Sequence, residues 1–176
     1  MTHDPGALPD RLLVGLGNPY RGDDAVGPLV VQEVARRLHG QAPRLRVIER
    51  EEPPALLDLL EGADLAVVVD AVRTGGEPGN LVLLEAGSEA PAQAALPSQA
   101  AGLGGTHAFG LASVIDLARV LDRLPRRLVV VGIEAAGFEP GAALSPPVRS
   151  AISGCAATIV ELLSLGTAAD PGEAGS

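Results

Sequence analysis

The sequence predicts an α/β fold, a three-layer α/β/α sandwich around a mainly parallel or mixed sheet of about five strands. Short runs of β-branched and other apolar residues alternate along the chain with longer stretches of helical period. Two of these runs, within residues 64–72 and 126–134, are almost entirely apolar, which is typical of strands covered by helices on both faces. Because 47% of the 176 residues are apolar, the chain can bury the core of one domain.

The first half of the chain begins with a βα unit. Residues 12–16 predict a buried strand, and residues 28–38 predict a helix with its apolar side chains on one side. Pro28 suits the first helical position, so the helix is predicted to begin there and to leave Asp23 and Asp24 in the preceding loop. The elements predicted next are a strand at residues 45–49, a helix at residues 54–60 and a central strand at residues 64–72.

The second half of the chain contains a long segment without a period. Glycines and a proline within residues 75–79 predict a turn. Residues 87–105, rich in Ala, Pro, Gly and Gln, predict a loop, and long loops in compact domains are often functional. The other predicted elements are strands at residues 81–86 and 126–134 and helices at residues 106–124 and 147–165. We therefore expect one domain over residues 11–165, after an N-terminal extension (1–10) and before a disordered tail (166–176).

The composition limits the partners that the chain can bind. A net charge of -9, from 22 acidic residues against 13 lysines and arginines, leaves no basic surface for a nucleic acid or an anionic membrane. No apolar run approaches the roughly 20 residues of a membrane span, and the first residues lack the pattern of a secretion signal. The single cysteine, Cys155, cannot form an internal disulfide, and its setting favours a buried side chain without chemistry. We expect a cytoplasmic protein.

Candidate functional residues stand where predicted strands end, because ligands of such sheets bind beyond the carboxyl ends of the strands. Three of these residues, Asp24, Asp70 and His107, can converge. Two carboxylates and a neutral imidazole form an open three-ligand set for a divalent ion, with room for a ligand from a partner. The full set of polar residues at strand ends, or at the start of the helix after the long loop, is Asn18, Asp23, Asp24, Asp70, His107 and Glu134.

Each of these candidates also has a simpler explanation. Asp23 or Asp24 could cap the first helix, since aspartate is a favoured N-cap residue. His107 could merely stand at a helix N-terminus, although the helix dipole there keeps an imidazole neutral and available to a metal. Asp70 is the hardest to explain without a function, because a carboxylate at the end of a doubly covered strand is costly to bury unless it is paired, hydrogen-bonded or metal-bound.

Four segments, taken in order, resemble the signature segments of the hydrogenase maturation endopeptidases: "GLGNPYRGDDAVGPLVV", "VVVDAVRTGGEPGNL", "THAFGLASVIDLARVL" and "VVGIEAAGFEPGAALSPPV". These enzymes remove a C-terminal extension from the large subunit of nickel-iron hydrogenases after nickel insertion. The resemblance covers about residues 11–165 and implies a phosphorylase/hydrolase-like fold. It further implies that Asp24, Asp70 and His107 bind nickel, which the substrate supplies, and that the partner is a large-subunit precursor.

The resemblance implies a cleavage that checks for the metal. In this interpretation Asp24, Asp70 and His107 complete or sense the coordination of nickel held by the cysteines of the precursor. The ion could polarise the scissile carbonyl and lower the pKa of a water, while a carboxylate, Asp24 or Asp70, could act as the base. Asp23 could orient a ligand from outside the ligand set. The sequence identifies neither the substrate-binding residues nor the oligomeric state.

One segment departs from the family pattern. Many members carry an Asp-Gly-Gly-like turn after the second strand, whereas this chain has "IEREEPPALLDLL", with Glu49 nearest the expected acid and no glycine. The departure concerns the contact of this loop with the substrate tail. It leaves the three expected ligands unchanged.

Two other functions stay open at the level of the sequence. The opening "VGLGNP", residues 14–19, also resembles peptidyl-tRNA hydrolase, but that family places a histidine soon after this turn and needs a basic face for tRNA. Here no histidine lies between His3 and His39, and the chain is acidic. A nickel chaperone or sensor would use the same three ligands without cleaving a precursor. A dinucleotide site is disfavoured, because the third glycine of its loop is missing and the acids would repel a pyrophosphate.

Overall fold

The computed structural model describes residues 10–39, 41–42, 44–88 and 108–165. In this part of the chain a five-stranded sheet lies between helices on both faces, so the predicted α/β sandwich with a mixed sheet is confirmed. The strands are β1 (Arg11–Leu16), β2 (Leu45–Arg50), β3 (Leu65–Val72), β4 (Leu81–Ala86) and β5 (Arg127–Glu134). The helices are α1 (Val26–Leu38), α2 (Leu56–Leu60), α3 (Ala108–Val120) and α4 (Pro146–Leu165), with short 3-10 helices at Gly22–Ala25 and Pro53–Ala55.

The strand order of the sheet is β2-β1-β3-β5-β4. Strands β2, β1, β3 and β5 run parallel, and β4 pairs antiparallel with β5 at the edge. From β1 the chain passes through α1 to β2 at one edge, whereas from β3 it passes to β4 at the other edge. The neighbours β1 and β3 therefore send their connections in opposite directions. In open α/β sheets a crevice for ligands forms at such a switch point, outside the carboxyl ends of the strands.

Alternation along the strands divides the core into two layers. Side chains such as Leu13, Val67 and Val129 pack with α1 and α4, whereas their neighbours pack with α2 and α3 on the other face. The central strand β3 is buried along its whole length. Apolar surface is thus removed from water on both faces of the sheet, and this burial is the main stabilising contribution to the fold.

Helices α1 and α3 each differ from the prediction at one boundary. Helix α1 begins at Val26 and not at Pro28, and Asp23 and Asp24 lie in the 3-10 helix Gly22–Ala25 and not in an irregular loop. Pro28 is tolerated at the third helical position because the first N–H groups of a helix have no partner within the helix. Helix α3 ends at Val120 and not at residue 124. Two residues later, Asp122 has φ 56°, the left-handed conformation that terminates helices.

The remaining predictions fall partly outside the described residues. The predicted helix at 54–60 is a 3-10 helix followed by α2. Most of the predicted loop at 87–105, the extension, the tail and the start of the predicted helix at residues 106–107 lie outside the described ranges. None of the helices within those ranges has the length and apolar character needed to cross a membrane.

Candidate active site

Asp24 lies directly beyond the carboxyl end of β1. Its side chain is 1% exposed, and one carboxylate oxygen, Oδ2, accepts a hydrogen bond from the backbone N–H of Asn18 at 3.0 Å. The turn that allows this contact requires Gly17, which has φ 135° and where a Cβ atom would lie 1.8 Å from the carbonyl oxygen of Asp24. The glycine that resembles part of a nucleotide-binding loop therefore serves close packing against an acid.

Asp70 lies near the end of β3 and is also 1% exposed. It pairs in register with Gly132 of β5, and alternation places it on the same face of the sheet as Val68, the face that α2 and α3 cover. The 3-10 helix that carries Asp24 contacts β3. The structure thus brings Asp24 and Asp70 to neighbouring elements at the switch point between β1 and β3.

His107 lies outside the described residues. The helix that follows it, α3, begins at Ala108 and packs on the face of the sheet toward which Asp70 points. Within the described ranges no group of three or more His, Cys, Asp and Glu side chains could hold a metal ion. The convergence of His107 with the two carboxylates therefore stays a prediction.

Asp23 has a different environment from that of Asp24. It is 1% exposed, and its carboxylate accepts hydrogen bonds from the backbone N–H groups of Ala136 (2.8 Å), Gly137 (3.3 Å) and Ser145 (2.7 Å) and from the Ser145 hydroxyl (2.9 Å). Neither Asp23 nor Asp24 makes a side-chain cap of α1 or of the 3-10 helix. Through these hydrogen bonds, Asp23 instead holds the segment after β5 against the turn after β1.

Glu134, the last residue of β5, fastens the turn after β3. Its buried carboxylate accepts hydrogen bonds from the Thr74 N–H (2.8 Å), the Thr74 hydroxyl (2.7 Å) and the Gly75 N–H (2.9 Å). Burial raises the pKa of Glu134, but hydrogen bonds from Thr74 and from the backbone of Gly75 and Gly76 outweigh burial and hold the pKa below its usual value. The carboxylate is therefore a fixed anchor for this turn.

Two further residues singled out in the sequence are Glu49 and Cys155. Glu49 is exposed at the carboxyl end of β2, where it accepts a hydrogen bond from the Gln32 side chain at 3.0 Å. Cys155 is fully buried in α4, and burial raises the pKa of its thiol to about 12. The predicted burial of Cys155 is thus confirmed, and a protonated thiol is a poor nucleophile at neutral pH.

The family model described as hydrogenase maturation protease, HycI, matches residues 28–162. The chain belongs to this family. The protease is 31% identical over 144 residues to the hydrogenase expression/formation protein HupD of Bradyrhizobium diazoefficiens, an alignment that spans 81% of the protease and 71% of HupD. It is 29% identical over 151 residues to HupD of Rhodobacter capsulatus, across 84% of the protease and 69% of that relative.

Solved structures share the fold of the protease. The hydrogenase maturating endopeptidase HybD from E. coli superimposes with a TM-score of 0.72 at 21% identity, over 89% of this chain and 93% of HybD. The hydrogenase maturation protease HycI from Thermococcus kodakarensis superimposes with a TM-score of 0.62 at 23% identity, over 90% and 95% of the two chains. The family match makes the chain a hydrolase of hydrogenase maturation, which disfavours both a peptidyl-tRNA hydrolase and a nickel chaperone.

Proposed function

We propose that the protease removes the C-terminal extension of a nickel-iron hydrogenase large-subunit precursor after nickel insertion, and that Asp24, Asp70 and His107 recognise the nickel that the precursor carries. The burial of Asp24 and Asp70, each 1% exposed at adjoining elements of the switch point, supports this proposal most. Carboxylates are costly to bury, and a cation brought by the substrate would offset part of that cost. Nickel is therefore part of the substrate in this reaction.

The donor set suits this role. Nickel accepts imidazole and carboxylate ligands, and the cysteines of the precursor supply thiolates. Three ligands from the protease leave coordination positions for the substrate. A precursor without nickel would lack the ion that these three ligands coordinate, so it would bind less well than the loaded precursor.

The carboxylates also supply the base for hydrolysis. Asp24 or Asp70 can accept the proton of the attacking water, provided that the scissile bond lies within hydrogen-bond reach of the carboxylate. The nickel of the substrate can polarise the scissile carbonyl. The hydrogen bond from Asn18 fixes one oxygen of Asp24, so the orientation of this carboxylate is set before the substrate arrives.

The proposal is tested with purified precursor, with and without nickel, by measuring the mass of the product. We expect the protease to shorten the C-terminus of the nickel-loaded form alone, and Asp24→Asn and Asp70→Asn to slow this cleavage by about 100-fold or more. Asp116→Asn is the matched control, because Asp116 is an exposed aspartate on α3 that pairs with Arg119. Equal cleavage of the two precursors would contradict the nickel recognition, and full activity of both variants would contradict the assignment of the site.

A further inference from the structure

The segment after β5 and the turn after β1 are joined along their length. Besides its four side-chain hydrogen bonds, Asp23 donates its backbone N–H to the carbonyl of Gly137 at 3.0 Å. Further along the same two segments, the N–H of Gly141 donates to the carbonyl of Tyr20 at 2.8 Å. We call residues 18–24 and 136–145 together the paired rim. Asp23 is its central residue, because both of its carboxylate oxygens and its N–H bond across the rim.

The packing in the paired rim leaves little room for adjustment. A Cβ atom on Gly22 would lie 2.9 Å from the carbonyl oxygen of Gly137, so the two backbones are in direct contact at this position. Gly22 also has φ 55°, in the left-handed region that glycine adopts most readily. The backbone of the 3-10 helix therefore rests directly on the segment after β5.

Asp24 is held by the same short helix from the other side. Asp23 and Asp24 are consecutive residues of Gly22–Ala25, and they bond in different directions: Asp23 toward the segment after β5, and Asp24 to Asn18 at the end of β1. The N–H of Asp24 also donates to the carbonyl of Arg21 at 3.1 Å. A shift of Asp23 would rotate this four-residue helix and displace the carboxylate of Asp24.

We propose that Asp23 is a positioning residue, which sets the location of the Asp24 carboxylate by anchoring the 3-10 helix to residues 136–145. This inference rests on the proposed function, in which Asp24 contacts the substrate nickel. Asp23 itself does not contact the substrate, because its oxygens are directed to Ala136, Gly137 and Ser145. Residues 136–145 thus affect cleavage by holding Asp23 in place, although they supply no reacting group.

The first test compares two serine-to-alanine substitutions, one in the paired rim and one five residues later in α4. Ser145→Ala removes one of the four hydrogen bonds to the Asp23 carboxylate, whereas the control Ser150→Ala removes the hydrogen bond from the Ser150 hydroxyl to the carbonyl of Pro146 in α4. We expect Ser145→Ala to lower kcat for the nickel-loaded precursor about threefold with an unchanged KM, because a small displacement of a reacting group slows the chemistry. Ser150→Ala should change neither constant.

The second test replaces Asp23 itself. Asp23→Asn replaces one of the two acceptor oxygens by an NH2 group that faces other donors, and we expect kcat to fall about tenfold with KM nearly unchanged. Val34→Ala is the control for lost stability, because Val34 lies in the core between α1 and the sheet, about two turns beyond the start of α1. Both variants are assayed at a temperature at which circular dichroism shows them folded. A loss of kcat in Asp23→Asn no larger than in Val34→Ala would overturn the inference.

A double-mutant cycle separates positioning from a merely structural role. In Asp24→Glu the longer side chain has already displaced the carboxylate, so Asp23→Asn should cost much less in kcat there than in the wild-type background. Equal losses in the two backgrounds would overturn the inference. The proposed function fails in a different way, by normal cleavage in Asp24→Asn, so the two failures are distinguishable.

Discussion

Four acidic residues that follow or end strands differ in position at the level of the single side chain. Asp24 and Asp70 lie at the switch point of the sheet, whereas Asp23 and Glu134 accept several hydrogen bonds each from neighbouring loops. All four are nearly inaccessible to water. Burial of a carboxylate is therefore insufficient to identify a reactive one. Position at the switch point of the sheet is the further criterion.

Replacement of His107 tests the third expected ligand. His107→Ala should fold with nearly the same free energy of unfolding, because the sequence puts the residue at the start of a predicted helix, where truncation opens little core volume. Cleavage of the nickel-loaded precursor should fall by about two orders of magnitude. His39→Ala is the control, since His39 is exposed at the end of α1. Normal processing by His107→Ala would remove the histidine from the site.

Glu134 makes a pH-dependent contribution to stability. Because hydrogen bonds hold its pKa below the usual 4.5, folding favours the ionised form. The contribution is complete above the pKa of the unfolded chain and is lost as the pH falls through the lower pKa of the folded protein. Urea unfolding between pH 7 and pH 3 should therefore show a loss of stability below about pH 4.5 that is smaller in Glu134→Gln.

The same substitution should be costly at neutral pH. Glu134→Gln places an amide against the donors of Thr74 and Gly75, and we expect the free energy of unfolding to fall by about 1–3 kcal/mol. Glu77→Gln, in the exposed part of the same loop, should change it by less than about 0.5 kcal/mol. Identical pH profiles for wild type and Glu134→Gln would show that the contacts of Glu134 contribute nothing to this dependence.

At the level of elements, a close approach between α1 and the sheet fixes the turn that carries Asp24. A Cβ atom on Gly27 would lie 2.1 Å from the carbonyl oxygen of Leu16 and 2.7 Å from that of Val69, so α1 touches the backbones of β1 and β3. A Cβ atom on Gly15 would lie 2.6 Å from the carbonyl oxygen of Gly27. The two glycines thus allow the helix to start directly on the strand ends.

Two glycine-to-alanine substitutions in helices should have opposite effects. Gly27→Ala forces backbones apart and should lower the free energy of unfolding by about 1–3 kcal/mol or more. Gly154→Ala, in α4, meets no atom within 4 Å and should raise it by about 0.5–1 kcal/mol, because alanine loses less backbone freedom on folding. Urea denaturation measures both. Equal effects of the two substitutions would contradict the close approach.

The sequence predicts the strands and two of the candidate acids because these are local signals. Asp70 stands at the end of an apolar run and Asp24 follows another, so an acid beyond a buried strand is visible without the structure. The anchors are not visible in this way. The hydrogen bond from Ala136 to Asp23 joins residues 113 positions apart, and that from Thr74 to Glu134 joins residues 60 positions apart.

The direction and place of β4 also depend on distant contacts. The glycine-rich turn before β4 is evident in the sequence, but β5 separates β4 from β3 in the sheet. The partner of β4 is β5, which begins at Arg127, 40 residues after Gly87 in the sequence. A local pattern therefore allows both a parallel and a mixed sheet.

For the molecule as a whole, the described core lies within residues 12–163, from Leu12 in β1 to Leu163 in α4. We therefore expect a fragment of residues 10–165 to unfold cooperatively, with a Tm within about 4 °C of that of the full chain. Differential scanning calorimetry measures this value. A broad transition, or a Tm lower by more than about 10 °C, would show that the terminal residues belong to the cooperative unit and would contradict a domain of residues 11–165.

The anchors at Asp23 and Glu134 have a consequence for the exchange of amide hydrogens with solvent. The amides of Ala136, Ser145, Thr74 and Gly75 belong to loops, and loop amides usually exchange quickly. Here each of them donates to a buried carboxylate, so its exchange requires that hydrogen bond to break first. We expect these four amides to exchange as slowly as amides in the sheet, whereas Asn80, whose N–H bonds only within its own turn, should exchange quickly.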